Sequence, residues 1–412
     1  MPEGATIRSC GRRRFVKNLA AGAAAVVAGI PQYVLKSSGE DYHVKKGEMY
    51  FRRLGRTGFL ISEISLGGSP LPDWSLFRQI IERGVNYIDT SHTYNNGNSE
   101  RQIGRLFKEI GRDKVYVCTK FHAEGRYTEK SIIESVEGSL HRLGTDVIDV
   151  LSIHGAENEA DLTDDRVLGA FEKLKAAGKY KFRGLSCHTN HQRVIKTAVE
   201  CGYYDMVQMG YNVFDIQEGE TNVKTYEDYL GQSGIKDLIA FAKAKDVGVI
   251  AMKTLRVGGR RQDLERYRTG KTSISEAMLK WALENKNLTA VVTEMLNYDQ
   301  MREDLAAVGI PLSAAERRSL FLCVAEHAKD YCHMCGTCQK TCPSRIRTTD
   351  ILRYLAYAEG YGKTASAKAM HAQLAPEQTA LACRDCGACK KNCPYGVDVR
   401  KRIADAHRIL ST

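Results

Sequence analysis

From Met49 to Leu305, short runs of β-branched and aromatic residues alternate with amphipathic stretches of about 10–15 residues, so the hydrophobic period switches repeatedly between strand and helix. Strands are predicted at Glu63–Leu66, Val85–Asp89, Lys114–Thr119, Val147–Ile153, Phe182–Ser186, Met206–Met209, Gly248–Ala251 and Leu288–Val292. Between them, helices fit Ser99–Lys108, Thr128–Arg142, Asp164–Ala177, Asn190–Cys201, Ile235–Lys245 and Ser273–Glu284. Strand–helix units repeated in this way over roughly 250 residues predict an α/β fold, a (β/α)8 TIM barrel spanning residues 49–310. The alternative is a doubly wound dinucleotide-binding sheet, but no G-x-G-x-x-G follows the first strand. Ahead of that strand, Tyr50–Ile61 with Gly55-Arg56-Thr57-Gly58 at its centre reads as a hairpin closing the barrel bottom.

The N-terminal pattern is different. Asn18–Ile30 is apolar and rich in Ala and Gly, too short for the roughly 20 residues of a spanning helix, so no transmembrane span is expected. It follows Arg12-Arg13-Arg14-Phe15-Val16-Lys17, a basic region with adjacent arginines of the twin-arginine export type. Residues 1–30 are therefore expected to be an export signal and residues 31–48 a polar linker, with a periplasmic location following; if the signal does not function, the protein stays in the cytoplasm. A disordered basic terminus or an ordinary amphipathic helix is the simpler alternative.

Cysteine spacing defines the C-terminal part, residues 311–412. Cys332, Cys335, Cys338 and Cys342 form C-x2-C-x2-C-x3-C before Pro343, and Cys383, Cys386, Cys389 and Cys393 repeat the run before Pro394. In this ferredoxin-type run three cysteines on one loop hold three corners of a [4Fe–4S] cube while the fourth serves the other cluster. Two [4Fe–4S] clusters are expected, one on Cys332, Cys335, Cys338 and Cys393, the other on Cys383, Cys386, Cys389 and Cys342. Zinc ribbons, the competing use of C-x2-C pairs, do not account for duplicated four-cysteine runs ending in C-P. Between the runs Thr349–Ala372 looks helical, so a small, mainly helical ferredoxin-like dicluster domain is predicted. The other cysteines, Cys10, Cys118, Cys187, Cys201 and Cys323, have no ligand spacing. Export and clusters fit together, because a route that carries folded proteins would deliver clusters assembled in a reducing cytosol.

Charge adds one exclusion. The net +11 splits into five Lys/Arg against Glu3 in residues 1–30, 14 basic against 8 acidic residues from Cys323 onward, and near neutrality between. No basic surface spreads over the barrel, and nucleic acid is not expected as a partner. The basic C-terminal part could steer an acidic redox partner protein or be a plain solvated face.

In a barrel of this kind chemistry sits at the carboxyl ends of the strands. Strand two ends in Asp89 with Tyr94 five residues on, strand three in Lys120 and strand four in His154. A tyrosine can protonate a carbonyl oxygen if a nearby cation lowers its pKa. Lys120 would supply that cation, Asp89 would hold the ammonium, and His154 would orient the substrate oxygen. Singly, each residue could be a cap, a solvated strand end or a surface aromatic; at three successive strand ends they point to chemistry.

These residues, with Tyr50-Phe51-Arg52-Arg53-Leu54-Gly55-Arg56-Thr57-Gly58, Asn86-Tyr87-Ile88-Asp89-Thr90-Ser91-His92-Thr93-Tyr94, Ser99-Glu100, Thr119-Lys120 and Ile153-His154, resemble the aldo/keto reductase superfamily. More narrowly, they resemble its exported members with a C-terminal 4Fe–4S dicluster domain. The resemblance implies nicotinamide-dependent interconversion of a small-molecule carbonyl and alcohol, sugar-like substrates among them, with Asp89, Tyr94, Lys120 and His154 as the tetrad. It places cofactor contacts on Ser186 and Gln208, puts Cys187 where Asn usually stands, and leaves Met252 where an aromatic commonly stacks on the nicotinamide. After strand eight Glu294 and Gln300 stand where basic residues would favour NADPH; an acidic residue disfavours a 2′-phosphate, so NAD(P)H is expected with NAD(H) open.

Outside the cytoplasm no nicotinamide pool is expected, and a cube passes single electrons where a nicotinamide passes a hydride; no flavin motif bridges the two. A non-catalytic or nicotinamide-independent electron carrier, with the barrel as docking platform, is therefore the rival. The loops Phe214–Gly234 and Leu255–Gly270, expected to set substrate choice, carry no motif.

Overall fold

The structure is a computed structural model describing residues 43–123, 127–214, 234–255 and 262–411. The twin-arginine segment, the start of the polar stretch behind it, and residues 215–233 and 256–261 of the two long loops lie outside the described residues. Among the described residues, no helix is long and apolar enough to cross a membrane.

The chain enters through a three-stranded antiparallel sheet of β1 (His43–Lys46), β2 (Met49–Arg53) and β3 (Leu60–Ser62). The last two are the predicted hairpin, with Gly55–Thr57 as a single 3-10 turn between them. The first is a strand where a linker was expected. His-Val-Lys-Lys has little apolar patterning of its own and is ordered by pairing with β2, His43 opposite Arg52 and Val44 opposite Phe51. The hairpin closes the bottom of the barrel: Gly55 has φ +47, and a Cβ there would run into the backbone of Gly248.

Eight parallel strands then close on themselves: β4 (Ile64–Gly67), β5 (Tyr87–Asp89), β6 (Tyr116–Phe121), β7 (Ile148–Ala156), β8 (Tyr180–Cys187), β9 (Met206–Gly210), β10 (Gly248–Met252) and β11 (Ala290–Thr293). All are predicted strands, displaced by a few residues at most, and β11 returns to pair with β4. Crossover helices cover the outside, so strands such as β9 and β10 are buried along their length, as their unbroken apolar runs require. Leu54, Ile61, Tyr87, Cys118, Val150, Met206, Ile250 and Ala290 fill the interior. The outer layer is α1 (Trp74–Glu82), α2 (Asn98–Ile110), α3 (Glu129–Leu143), α4 (Glu159–Thr163), α5 (Asp165–Ala176), α6 (His191–Cys201), α7 (Gly234–Ala244), α8 (Ile274–Leu283) and α9 (Tyr298–Ala306). Their starts are set locally, as where Thr128 and Ser131 cap α3 reciprocally.

Helix α10 (Ala314–His327) packs on the barrel, adding Leu320, Cys323 and Val324 to its apolar cluster and Glu316 to a 2.9 Å ion pair with Lys280. Beyond it α11 (Thr337–Lys340), α12 (Thr348–Tyr361), α13 (Thr364–His371), α14 (Ala388–Lys391) and α15 (Val399–Leu410) surround a second core of Ile346, Ile351, Leu355, Val399 and Ile403. The stretch Thr349–Ala372, read as one helical segment, is two helices. Gly362 ends α12 in the left-handed region at φ 65, and its amide donates back to Tyr357 O, a helix stop that glycine adopts without steric cost.

Candidate functional site

Asp89, Lys120 and His154 stand at the carboxyl ends of β5, β6 and β7, with Tyr94 opening a short 3-10 turn beyond β5. The Lys120 Nζ donates to Asp89 Oδ1 at 2.5 Å and to Thr90 O at 2.8 Å, and lies 5.2 Å from the Tyr94 ring centroid. Strand β7 continues past the predicted end with a register irregularity between Ile153 and Ala156, a break that re-aims a side chain at a strand end. There His154 turns edge-on to Tyr94, ring centroids 5.6 Å apart, and its Nδ1 is 3.2 Å from Ser91 Oγ.

Burial governs the electrostatics. It raises the Tyr94 phenol above its usual value; Lys120 pulls the other way but does not win, and Asp89, Tyr357 and Glu294 add to the rise. The expectation that Lys120 would lower the phenol is thus met in sign and overturned in net effect. For Lys120 itself burial disfavours the charge, but Asp89 and neighbouring groups more than offset it and hold the ammonium charged. Burial, followed by Lys120, His122, His92 and Arg353, holds His154 well below the usual imidazole range.

Two further histidines join this group. His122 lies 4.5 Å from His154 between ring centroids and titrates near 4, held down by burial, His92 and Lys120. His188 lies 6.3 Å from His154; burial, Lys253 and Arg353 keep it neutral, and its Nδ1 is buried without a hydrogen-bond partner among the described residues. Both follow strand ends directly, so the rule that picked out Lys120 and His154 would have found them.

The expected nicotinamide contacts lie along the same rim. The Ser186 hydroxyl accepts from Gly155 N at 2.9 Å. Gln208 is buried with Oε1 lacking a partner among the described residues, an acceptor suited to a carboxamide N–H. Met252, 8% exposed, closes β10, and the buried Cys187 donates to Thr189 O.

The iron–sulfur part lies over this mouth. Near the start of α12, Arg347 feels the charge of Glu157 beyond β7. Mid-helix, Arg353 donates through Nη2 to Asp350 Oδ1 at 2.6 Å and is among the charges that hold His154 and His188 neutral. At its end Tyr357 has Lys253 Nζ 5.6 Å from its ring centroid, and Lys363 pairs with Glu294 Oε1 at 2.5 Å and bonds Ser69 O. No sequence signal marked this roof.

The cysteine runs interleave. Cys332, Cys335, Cys338 and Cys393 wall one concavity, and Cys383, Cys386, Cys389 and Cys342 another. The twelve described cysteines form no disulfide. Gly336 and Gly387, with φ 78 and 71, open the short helices α11 and α14 inside the loops, where bare backbone can approach a cube. Four cysteines lining each concavity suit a [4Fe–4S] cluster. The concavities differ in exposure: Cys383 and Cys386 are exposed, whereas Cys338 is buried.

Residues 75–269 match the aldo/keto reductase family and residues 331–398 the 4Fe–4S dicluster domain. The barrel is thus similar to the aldo/keto reductase family over most of its length. With its dicluster domain, the protein is an oxidoreductase. Among curated relatives, the chain is 26% identical over 298 residues to L-galactose dehydrogenase of Arabidopsis thaliana, covering 62% of this chain and 87% of that one. It is also 26% identical over 322 residues to the NADH-specific methylglyoxal reductase of Escherichia coli (strain K12), covering 64% and 94%. Of solved structures, a holo-form aldo-keto reductase from Bacillus halodurans is similar in fold, with TM-score 0.53, 24% identity and coverage of 66% of this chain and 96% of that one. The coverage fits a reductase domain with a separate C-terminal addition.

Proposed function

We propose that the protein interconverts a carbonyl and an alcohol on a small, sugar-like substrate at the barrel mouth, using a nicotinamide, and that two [4Fe–4S] clusters exchange electrons with a redox partner protein. The buried Lys120–Asp89 pair set against the Tyr94 ring carries this reading. In reduction Tyr94 donates its hydroxyl proton to the carbonyl oxygen; in oxidation its phenolate takes the alcohol proton. Lys120, kept charged by Asp89, stabilises the phenolate. With the Ser91 hydroxyl donating to His154 Nδ1, the Nε2–H of His154 is left to orient the substrate oxygen. A bound nicotinamide supplies or accepts the hydride; Ser186 and Gln208 would hold its carboxamide, and Met252 would pack against its ring. Glu294, standing where the resemblance expects basic residues for a 2′-phosphate, favours NAD(H), as does the relative named NADH-specific. The relative named for L-galactose supports the sugar-like substrate.

The clusters are assigned to Cys332, Cys335, Cys338 and Cys393 and to Cys383, Cys386, Cys389 and Cys342. Residues 12–17 are assigned as a twin-arginine signal leading to the periplasm. A nicotinamide-independent electron carrier is favoured by one observation, the placement of α12 over the mouth.

The decisive experiment is Tyr94→Phe in anaerobically purified protein. Turnover of carbonyl substrates should fall by about 10²–10⁴, while the iron–sulfur absorbance and about eight iron per chain are retained. Full activity in the variant refutes the role of Tyr94. Intact clusters with no nicotinamide binding in the wild type decide for the electron carrier.

A further inference from the structure

Residues Asp350, Arg353 and Tyr357 recur at three- and four-residue spacing on α12, so their side chains share one face of the helix. That face meets the barrel: Tyr357 has Lys253 beside its ring, and Lys363 fixes the end of the helix to Glu294 and Ser69. Arg353 is held between these anchors, with only 16% of its side chain exposed. Its guanidinium has five N–H donors, of which Nη2 is met by Asp350 Oδ1 and another by the Tyr354 side chain. The other Asp350 oxygen is taken by Arg347 Nε at 2.5 Å, so Asp350 does not bind Arg353 as a bidentate partner.

Beneath the helix, the buried Nδ1 of His188 has no hydrogen-bond partner among the described residues. Beyond His188, His154 leads to Tyr94, with ring centroids 6.3 Å and then 5.6 Å apart. The unsatisfied imidazole therefore stands one side chain away from the group assigned to protonate the substrate oxygen, and both His188 and His154 feel the charge of Arg353 on the helix above. The buried His188 nitrogen is costly unless a ligand meets it, and a planar guanidinium suits a carboxylate.

Resting on the carbonyl–alcohol reading above, we propose that Arg353, supplied by the iron–sulfur domain, is a specificity-determining residue of the barrel pocket: with His188 it binds a carboxylate a few bonds from the reacting carbonyl. The substrate class is then the oxo acids and their hydroxy acid counterparts, sugar acids included. The roof helix is part of the substrate site, and removing it would remove the anion contact.

Oxamate, a carboxylate beside an amide carbonyl, and its neutral counterpart oxamide serve as probes on the full-length, cluster-loaded protein. Isothermal titration should show oxamate binding at least tenfold more tightly than oxamide to the wild type. The preference should vanish in Arg353→Gln and persist in weakened form in Arg353→Lys, which keeps the charge but loses the fork. With substrates, the preference in kcat/KM for a 2-oxo acid over its amide should fall by about 10–100-fold in Arg353→Gln, about 1.4–2.7 kcal/mol. Equal oxamate binding in wild type and Arg353→Gln overturns the proposal, as does a variant that loses NADH binding while keeping oxamate. If the wild type turns over no carbonyl yet binds oxamate through Arg353, the catalytic reading fails and the anion site stands.

Discussion

At the barrel mouth the decisive residue-scale quantity is how far burial outweighs charge. Lys120 lowers the Tyr94 phenol, yet desolvation of the phenolate is larger and the net shift is upward. The sign separates the two directions of the reaction. Reduction needs the phenol, which persists beyond its ordinary titration near pH 10, so its rate should show no loss attributable to Tyr94 as pH rises toward 10. Oxidation needs the phenolate and should climb about tenfold per pH unit without levelling below pH 10; pH–rate profiles in both directions check this, and an oxidation plateau near pH 8 refutes it. Residues of the site were legible in sequence where they end a strand, as Asp89, Lys120 and His154 do. His122 and His188 obey the same rule one or two residues further on. Arg353 and Tyr357 were not legible, because nothing in a helical pattern says that one face of it will lie over a distant barrel.

Elements were legible to the extent that burial is periodic. All eight barrel strands carry apolar runs, and each is within a few residues of its expected place. Strand β1 escaped because pairing, not patterning, orders it; the α12–α13 break turned on the conformation of Gly362 alone. The hairpin below the barrel offers a test of close approach against conformation. Gly55 and Gly58 both have positive φ, but a Cβ at Gly55 meets the Asp246–Gly248 backbone whereas one at Gly58 meets nothing within 4 Å. Gly58→Ala should therefore cost about 1 kcal/mol, and Gly55→Ala about 2–4 kcal/mol, as overpacking adds to the backbone term. Denaturant unfolding of the two variants measures the difference, and equal costs would show that the hairpin yields without strain.

At the scale of the whole molecule, two apolar cores and their order along the chain follow from the sequence, whereas the docking of one upon the other does not. That docking rests on polar contacts from loop and helix ends, Lys363 with Glu294 and Ser69, and on a close approach at which a Cβ on Gly336 would lie 3.6 Å from Asn190 Oδ1. The cysteine loop containing Gly336 is thereby turned to the reductase domain, while around Gly387 the same construction has nothing within 4 Å. The two halves of a repeated motif have acquired an inside and an outside. Such a molecule should corrode from one face. In a slow titration with air, the thiolates of Cys383 and Cys386 meet the oxidant first, and native mass spectrometry should record loss of iron in two steps, with Cys383 or Cys386 oxidised before Cys338. Simultaneous loss would mean that the barrel shelters nothing. A stepwise course gives the protein a built-in fuse: damage is registered at the outer loop while the one beside the substrate pocket is still intact.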